Sequence, residues 1–164
     1  MTEEAPARGR LFLVAAPSAE RAAPVALELG RRLPRAFVVS GAQIGSMVVG
    51  RRVAPPESDL ERLHGLLLRW SACLAAAETF LLEGFDAVVH DVIAGDQLED
   101  FLDLCAPEPV HVVIVDDSHG AGTPRWGLWL DPAAPPDAAA AAVLARLEES
   151  LVLTAEPADR DGGR

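Results

Sequence analysis

Three places in this 164-residue chain hold residue types that could do chemistry. The first is residues 16–23, which read Ala16, Pro17, Ser18, Ala19, Glu20, Arg21, Ala22, Ala23. They sit between an apolar run, LFLVA, and an amphipathic one, where a phosphate-binding loop would need G-x-x-x-x-G-K-[ST]. In that pattern the glycines adopt backbone angles closed to other residues, the lysine reaches the phosphates and the hydroxyl ligates magnesium. Both glycines, the lysine and the hydroxyl are missing here. Arg21 and the start of the following helix keep some capacity to attract an anion. The second place is His90-Asp91, at the end of DAVVHD. A histidine beside a carboxylate makes an acid–base pair if the two touch, but neighbours on a strand point to opposite faces. The third is Asp116-Asp117-Ser118-His119, which has metal-ligating types but reads equally as a solvated loop at a strand end.

Other reactive types offer less. Cys73 and Cys105 lie inside apolar patterns without metal-ligand spacing and read as buried thiols. His64 and His111 have no evident partners, and no Ser-His-Asp order or Cys-His pairing is present, so no metal site is expected. Trp126 and Trp129 read as packing residues on a strand over residues 126–130.

The elements that must position these residues alternate. Strands are expected over residues 11–15, 36–40, 86–91, 110–115 and 126–130, the first apolar on both faces as at the centre of a parallel sheet. Helices are expected from about Ala22 to Leu33, with Pro24 in the first turn, and from Ser58 or Asp59 to Glu83. The long helix carries Leu60, Leu63, Leu67, Trp70, Leu74, Ala77 and Leu81 inward. Two more run from Asp96 to Leu104 and from Ala138 to Leu151, and residues 41–46 read as a loop or short turn. Strand–helix alternation implies right-handed crossovers and a parallel sheet covered on both faces. Ligands of such sheets bind beyond the carboxyl ends of the strands, so residues 16–22, 40–43, 90–91 and 116–119 should converge on one rim. Residues 1–9 read as a flexible lead-in, 10–151 as the domain, and 152–164 as a polar, disordered tail.

Composition excludes several classes. Half the residues are hydrophobic, enough for one domain with a core. A net charge of −11 argues against nucleic acid as a partner. All fourteen basic residues are arginine, so no lysine can serve a phosphate, form a Schiff base or act as a base. The acidic N-terminus lacks the apolar core of a signal peptide, and no uninterrupted apolar run approaches the roughly 20 residues of a membrane span. A cytoplasmic location is expected.

Several stretches together resemble the P-loop small-molecule kinases of the chloramphenicol phosphotransferase-like group, relatives of shikimate and gluconate kinases. They are VAAPSAERAAPVALELGRRL, the segment MVVGRR at residues 47–52, GFDAVVHDVIAGDQLEDFL at residues 84–102, and RWGLWLD at residues 125–131 before a proline-opened helix. The resemblance covers residues 10–151. It implies a three-layer α/β, P-loop kinase-like domain with a five-stranded parallel sheet in the order 2-3-1-4-5 and helices on both faces. It also shows departures. The family's phosphate-loop glycines fall on Ala16 and Arg21, its lysine on Ala22 and its Ser/Thr on Ala23, with Ser18 inside the vestigial loop. Its acidic pair after the second strand falls on Ala42 and Gln43, and His90 replaces the first member of the pair that Asp91 completes. The arginine-bearing lid between the fourth and fifth strands shrinks to a short loop. Arg51, Arg52 and Arg69 match positions near the family's acceptor pocket, which makes Arg51 and Arg69 candidate substrate-binding residues.

Two readings follow. In the first, the chain is a non-catalytic pseudokinase that has lost ATP and magnesium and works as a binding, regulatory or assembly protein, with a protein partner or a second copy of itself. Phosphoryl transfer is mostly positioning and charge stabilisation, and the groups that supply both are missing together. In the second, the rim pocket still serves an enzyme, either a divergent small-molecule phosphotransferase or another reaction centred on Asp91 and His90. A small anionic ligand at the rim is compatible with both, and neither needs a membrane or nucleic acid.

Overall fold

The sheet is built outward from β1 (Leu11–Ala16), whose six residues are all buried. In the computed structural model, which describes residues 4–118 and 122–154, β1 leads into α1 (Ala19–Arg32), β2 (Ala36–Ser40), α2 (Gly41–Ser46) and α3 (Asp59–Leu82). β3 (Asp86–Val92), α4 (Gln97–Cys105), β4 (Val110–Val115) and β5 (Leu128–Leu130) follow, then α5 (Pro136–Ala145), α6 (Leu147–Ser150) and β6 (Leu151–Val152). The strands run in the order β2-β3-β1-β4-β5 and pair in parallel. Leu13 aligns with Val89 on one side and Val112 on the other. A short antiparallel strand, β6, adds to β4 and was not anticipated from the sequence.

Alternation along the strands divides the core. Leu11, Leu13, Ala15, Val89 and Val112 face α3 and α4, where Trp70, Cys73, Leu81, Leu98 and Phe101 complete one layer. Phe12, Val14, Val88 and Val113 face α1 and α5, against Val25, Leu29, Ala140 and Val143. Helices therefore cover both faces, as crossovers in a parallel sheet require.

Several local expectations are corrected. Residues 41–46 form a helical turn and a half, capped by Ser40, whose hydroxyl accepts from the Gln43 N–H at 3.2 Å. Helix α1 starts at Ala19, so Pro24 lies inside it rather than in its first turn. Leu60, in the first turn of α3, is exposed instead of facing the core. The last helix breaks at Arg146, and the fifth strand is shorter than residues 126–130, leaving Trp126 exposed outside it. Trp129 is partly buried beneath Arg125, and its indole N–H donates to the Trp126 carbonyl at 3.2 Å.

Contacts extend to residues on either side of 10–151. Residues 6–9 pack: Arg8 pairs with Glu78 and Glu108, and the Gly9 N–H donates to the Leu81 carbonyl at 3.0 Å. A Cβ at Gly9 would lie 1.7 Å from the Phe85 carbonyl oxygen, so only glycine fits there. Thr154 donates its hydroxyl to the Glu108 carbonyl at 2.7 Å, so structure continues past residue 151. The remainder of the expected tail, from residue 155, lies outside the described residues.

Candidate functional site

Strand alternation decides which rim groups can meet. Asp91, at the end of β3, shares a face with Val89 and points to α3. Its carboxylate is fully buried and accepts four hydrogen bonds. Arg69 Nε donates to Oδ2 at 2.9 Å and Nη2 to Oδ1 at 2.9 Å, a bidentate fork. The Trp70 indole N–H adds a bond to Oδ2 at 2.8 Å, and the Val92 backbone N–H one to Oδ1 at 2.8 Å. Four donors fill the acceptor sites of a carboxylate, so Asp91 has no lone pair left with which to serve as a base. Gly41 closes the cage. A Cβ there would lie 2.1 Å from Asp91 Oδ2, so the turn from β2 into α2 needs a residue without a side chain.

His90 points the other way, toward the α1 side, beside Val14 and Ser40 in the strand register. It is half-buried. Burial holds its pKa below the ordinary histidine value, and the neighbouring Asp91 charge opposes that only in part. The pair is adjacent in sequence but split across the sheet.

The turn on the α1 side differs from a phosphate cradle. β1 ends at Ala16 and α1 begins at Ala19, leaving only Pro17 and Ser18 between them. The N–H groups of Arg21 and Ala22 donate to the Ser18 carbonyl at 3.2 and 3.4 Å, and so close the first helical turn. No residue of the turn has a positive φ. Ala16 and Ala22 are completely buried, Ser18 and Ala23 partly so, and Arg21 is exposed. The position where the resembling family carries its lysine thus faces the core beneath α1.

Across the rim, Asp116 accepts from the Ser118 N–H at 3.1 Å and hydroxyl at 2.5 Å. Burial pushes its carboxyl up, but the Ser118 bonds and the nearby Arg21 charge outweigh this and hold its pKa below the usual range. Asp117 is exposed, and His119 lies outside the described residues. Among the described residues no group of three or more His, Cys, Asp or Glu side chains is arranged to hold a metal ion.

Of the arginines singled out, Arg51 and Arg52 are exposed on the turn after α2, and only Arg69 reaches the cage. Arg69 also lines an open groove of about 730 Å³ between α2, residues 48–56 and α3. Sequence reasoning missed Gly41 and Trp70 as partners of Asp91. The signal was there in part: a tryptophan next to an arginine on the helix that precedes a strand ending in aspartate.

The fold has known counterparts. The Mycobacterium tuberculosis APS kinase is 20% identical over 87% of this chain and 99% of its own, with a TM-score of 0.64. The tunicamycin resistance protein of Deinococcus radiodurans is 16% identical, covering 92% and 100% of the two chains at a TM-score of 0.60. A sugar kinase from a Janibacter species is 14% identical, covering 87% and 96% at 0.58. At such identities the likeness defines the fold alone, and that fold is P-loop kinase-like. No protein-family model matches the chain, and no curated protein matches it.

Proposed function

We propose that this chain is a non-catalytic protein built on the P-loop kinase fold, a pseudokinase that serves as a binding or assembly component. The observation that carries the reading is the closed turn after β1. A phosphate cradle needs backbone N–H groups aimed outward and a lysine at the helix start. Here α1 already begins at Ala19, so Arg21 and Ala22 lie within helix instead of in a loop, and the lysine position is a buried alanine. Asp91, the carboxylate a rim enzyme would use, is saturated by Arg69, Trp70 and Val92. Losing one transition-state donor costs a phosphotransferase on the order of a hundredfold or more, and here several would be lost together.

Calorimetric titration of the full chain with millimolar ATP–magnesium tests this. The expected result is no heat of binding. A micromolar dissociation constant, competed by ADP, would overturn the reading.

A further inference from the structure

The outer side of α3 lacks what such a helix ordinarily packs against. By length and composition α3 is apolar enough to cross a membrane, yet only 22% of its most apolar stretch is buried. A helix that is apolar all round is normally enclosed. Its inner side meets the sheet through Trp70, Cys73, Ala77 and Leu81. Its outer side presents Gly65, Leu68, Ala72 and Ala75 with only His64 and Ser71 as polar residues among them, and the one arginine between residues 64 and 77, Arg69, turns inward to Asp91. Beside it the turn of residues 47–53, MVVGRRV, exposes Met47, Val48, Val49 and Val53. Val49 is 82% exposed and Leu68 61%. The groove between turn and helix is lined by Ile44, Val48, Val53, Leu66 and Leu68.

Charge identifies the occupant. The chain carries a net −11, which makes two copies repel. From Met47 to Ala77, however, four arginines stand against three acids, so this face is close to neutral. Asp59 and Arg62 neutralise each other. That leaves Arg51 and Arg52 on the turn and Glu57 and Glu61 at the start of α3, two like charges of each sign on one patch. An isologous contact needs a patch complementary to itself, and opposite signs on one apolar surface meet that need. Size agrees. A buried Val, Leu or Met side chain removes roughly 60–120 Å² from water. The exposed set therefore amounts to several hundred Å², near the apolar share of the ~800 Å² per partner that a standard interface buries. A bilayer fits less well, because the Arg69–Asp91 pair and Trp70 tie α3 to the sheet.

We propose that this face joins two copies of the chain about a two-fold axis, with the residue 47–53 turn of each covering the groove and α3 of the other. The proposal names the partner left open in the assembly reading and rests on it only there. The nucleotide titration decides catalysis, and oligomeric state decides this interface.

Light scattering on a sizing column and sedimentation equilibrium of the full chain at micromolar concentrations provide the test. The parent should be a dimer. Leu68→Glu, at an exposed position, should give a monomer with unchanged circular dichroism and melting. Arg51→Glu with Arg52→Glu should weaken dimerisation by about tenfold or more, and the gap from the parent should narrow in high salt. A monomeric parent, or a dimer indifferent to both variants, would overturn the proposal. Flotation of a monomeric parent with neutral phosphatidylcholine vesicles would overturn it in favour of a bilayer.

Discussion

The two sides of the rim have opposite characters. On the α3 side, Gly41, Arg69, Trp70, Asp91 and the Val92 N–H form a closed set in which four donors meet the acceptor sites of the carboxylate. On the α1 side, the stretch from Ala16 to Ala22 holds no lysine or glycine and passes within two residues from β1 into α1. The two sides differ in what a substitution costs. A buried carboxylate that loses its partner leaves an uncompensated charge in a low-dielectric interior, so breaking the α3 cage should cost the fold several kcal/mol, about 3–5. A solvent-facing phosphate loop has no such debt. Its lysine and glycines can be replaced by alanine, and the backbone gains helical hydrogen bonds.

Building phosphate-loop residues into the α1 side breaks this comparison most directly. Combining Ala16→Gly, Arg21→Gly, Ala22→Lys and Ala23→Thr recreates the phosphate-loop side chains. Ala22 is completely buried, so a lysine there puts a charge into the core beside the positive end of the α1 dipole. A glycine at 21 adds about 1 kcal/mol of helix penalty. The expected loss exceeds about 4 kcal/mol, with no ATP–magnesium-dependent rise in melting temperature. A stable variant whose melting temperature rises with nucleotide would show that the turn reopens as a cradle.

The intact side is sharpened by removing its cation. Arg69→Ala leaves the Asp91 carboxylate buried with only Trp70 and the Val92 N–H, and should cost about 3–5 kcal/mol in urea unfolding. Gly41→Ala forces a methyl against a carboxylate pinned by four donors and should cost about 1–3 kcal/mol. If either substitution were neutral, the cage would not be what fixes this side.

Much of the scaffold was legible in the residues, because burial on both faces leaves near-continuous apolar strands such as LFLVAA and VHVVIV. Helix starts were less so. Pro24 suggested a first turn by its preference for that position, but packing of Ala22, Val25 and Ala26 on the sheet carries the helix back to Ala19. The pointing of His90 and Asp91 to opposite sides follows from strand period alone. That Gly41 must be glycine could not be read, because it depends on a carboxylate 50 residues away. β6 was hidden for a similar reason: two residues pair with β4 only because α6 returns the chain to that edge.

A smaller effect tests the α1 side in the opposite direction. Pro24 lacks the N–H that would donate to the Glu20 carbonyl, and its ring crowds that carbonyl. Pro24→Ala supplies the bond but relaxes the unfolded chain, which offsets about 0.4–1 kcal/mol. The net expectation is a gain of about 1–2 kcal/mol, read as a higher denaturant midpoint with an unchanged slope. A loss would mean that the proline fixes the turn after β1 and that this side is held as tightly as the cage.

The smallest effect comes from the histidine that divides the two sides. Burial lowers the His90 pKa below the ordinary value of 6.5, and burial lowers that of His111 as well. Both are favoured neutral in the native protein. As pH falls below 6.5, the unfolded chain takes up protons first, so stability held above that value is lost as pH drops through the lower native pKa values. The fall should be small for His90, which is only half-buried and opposed by the Asp91 charge, and it adds to that of the buried His111. It is separable from Asp116, whose lowered carboxyl pKa acts below the ordinary value of 3.8. His90→Gln should flatten part of the slope in urea midpoints measured across this range. The sign matters most. A histidine paired with a carboxylate in a working acid–base site has a raised pKa, and its protein gains stability on acidification. If the parent gained stability below neutrality and His90→Gln abolished the gain, His90 and Asp91 would be coupled across the strand, and the division of this rim into a filled side and an emptied one would fail.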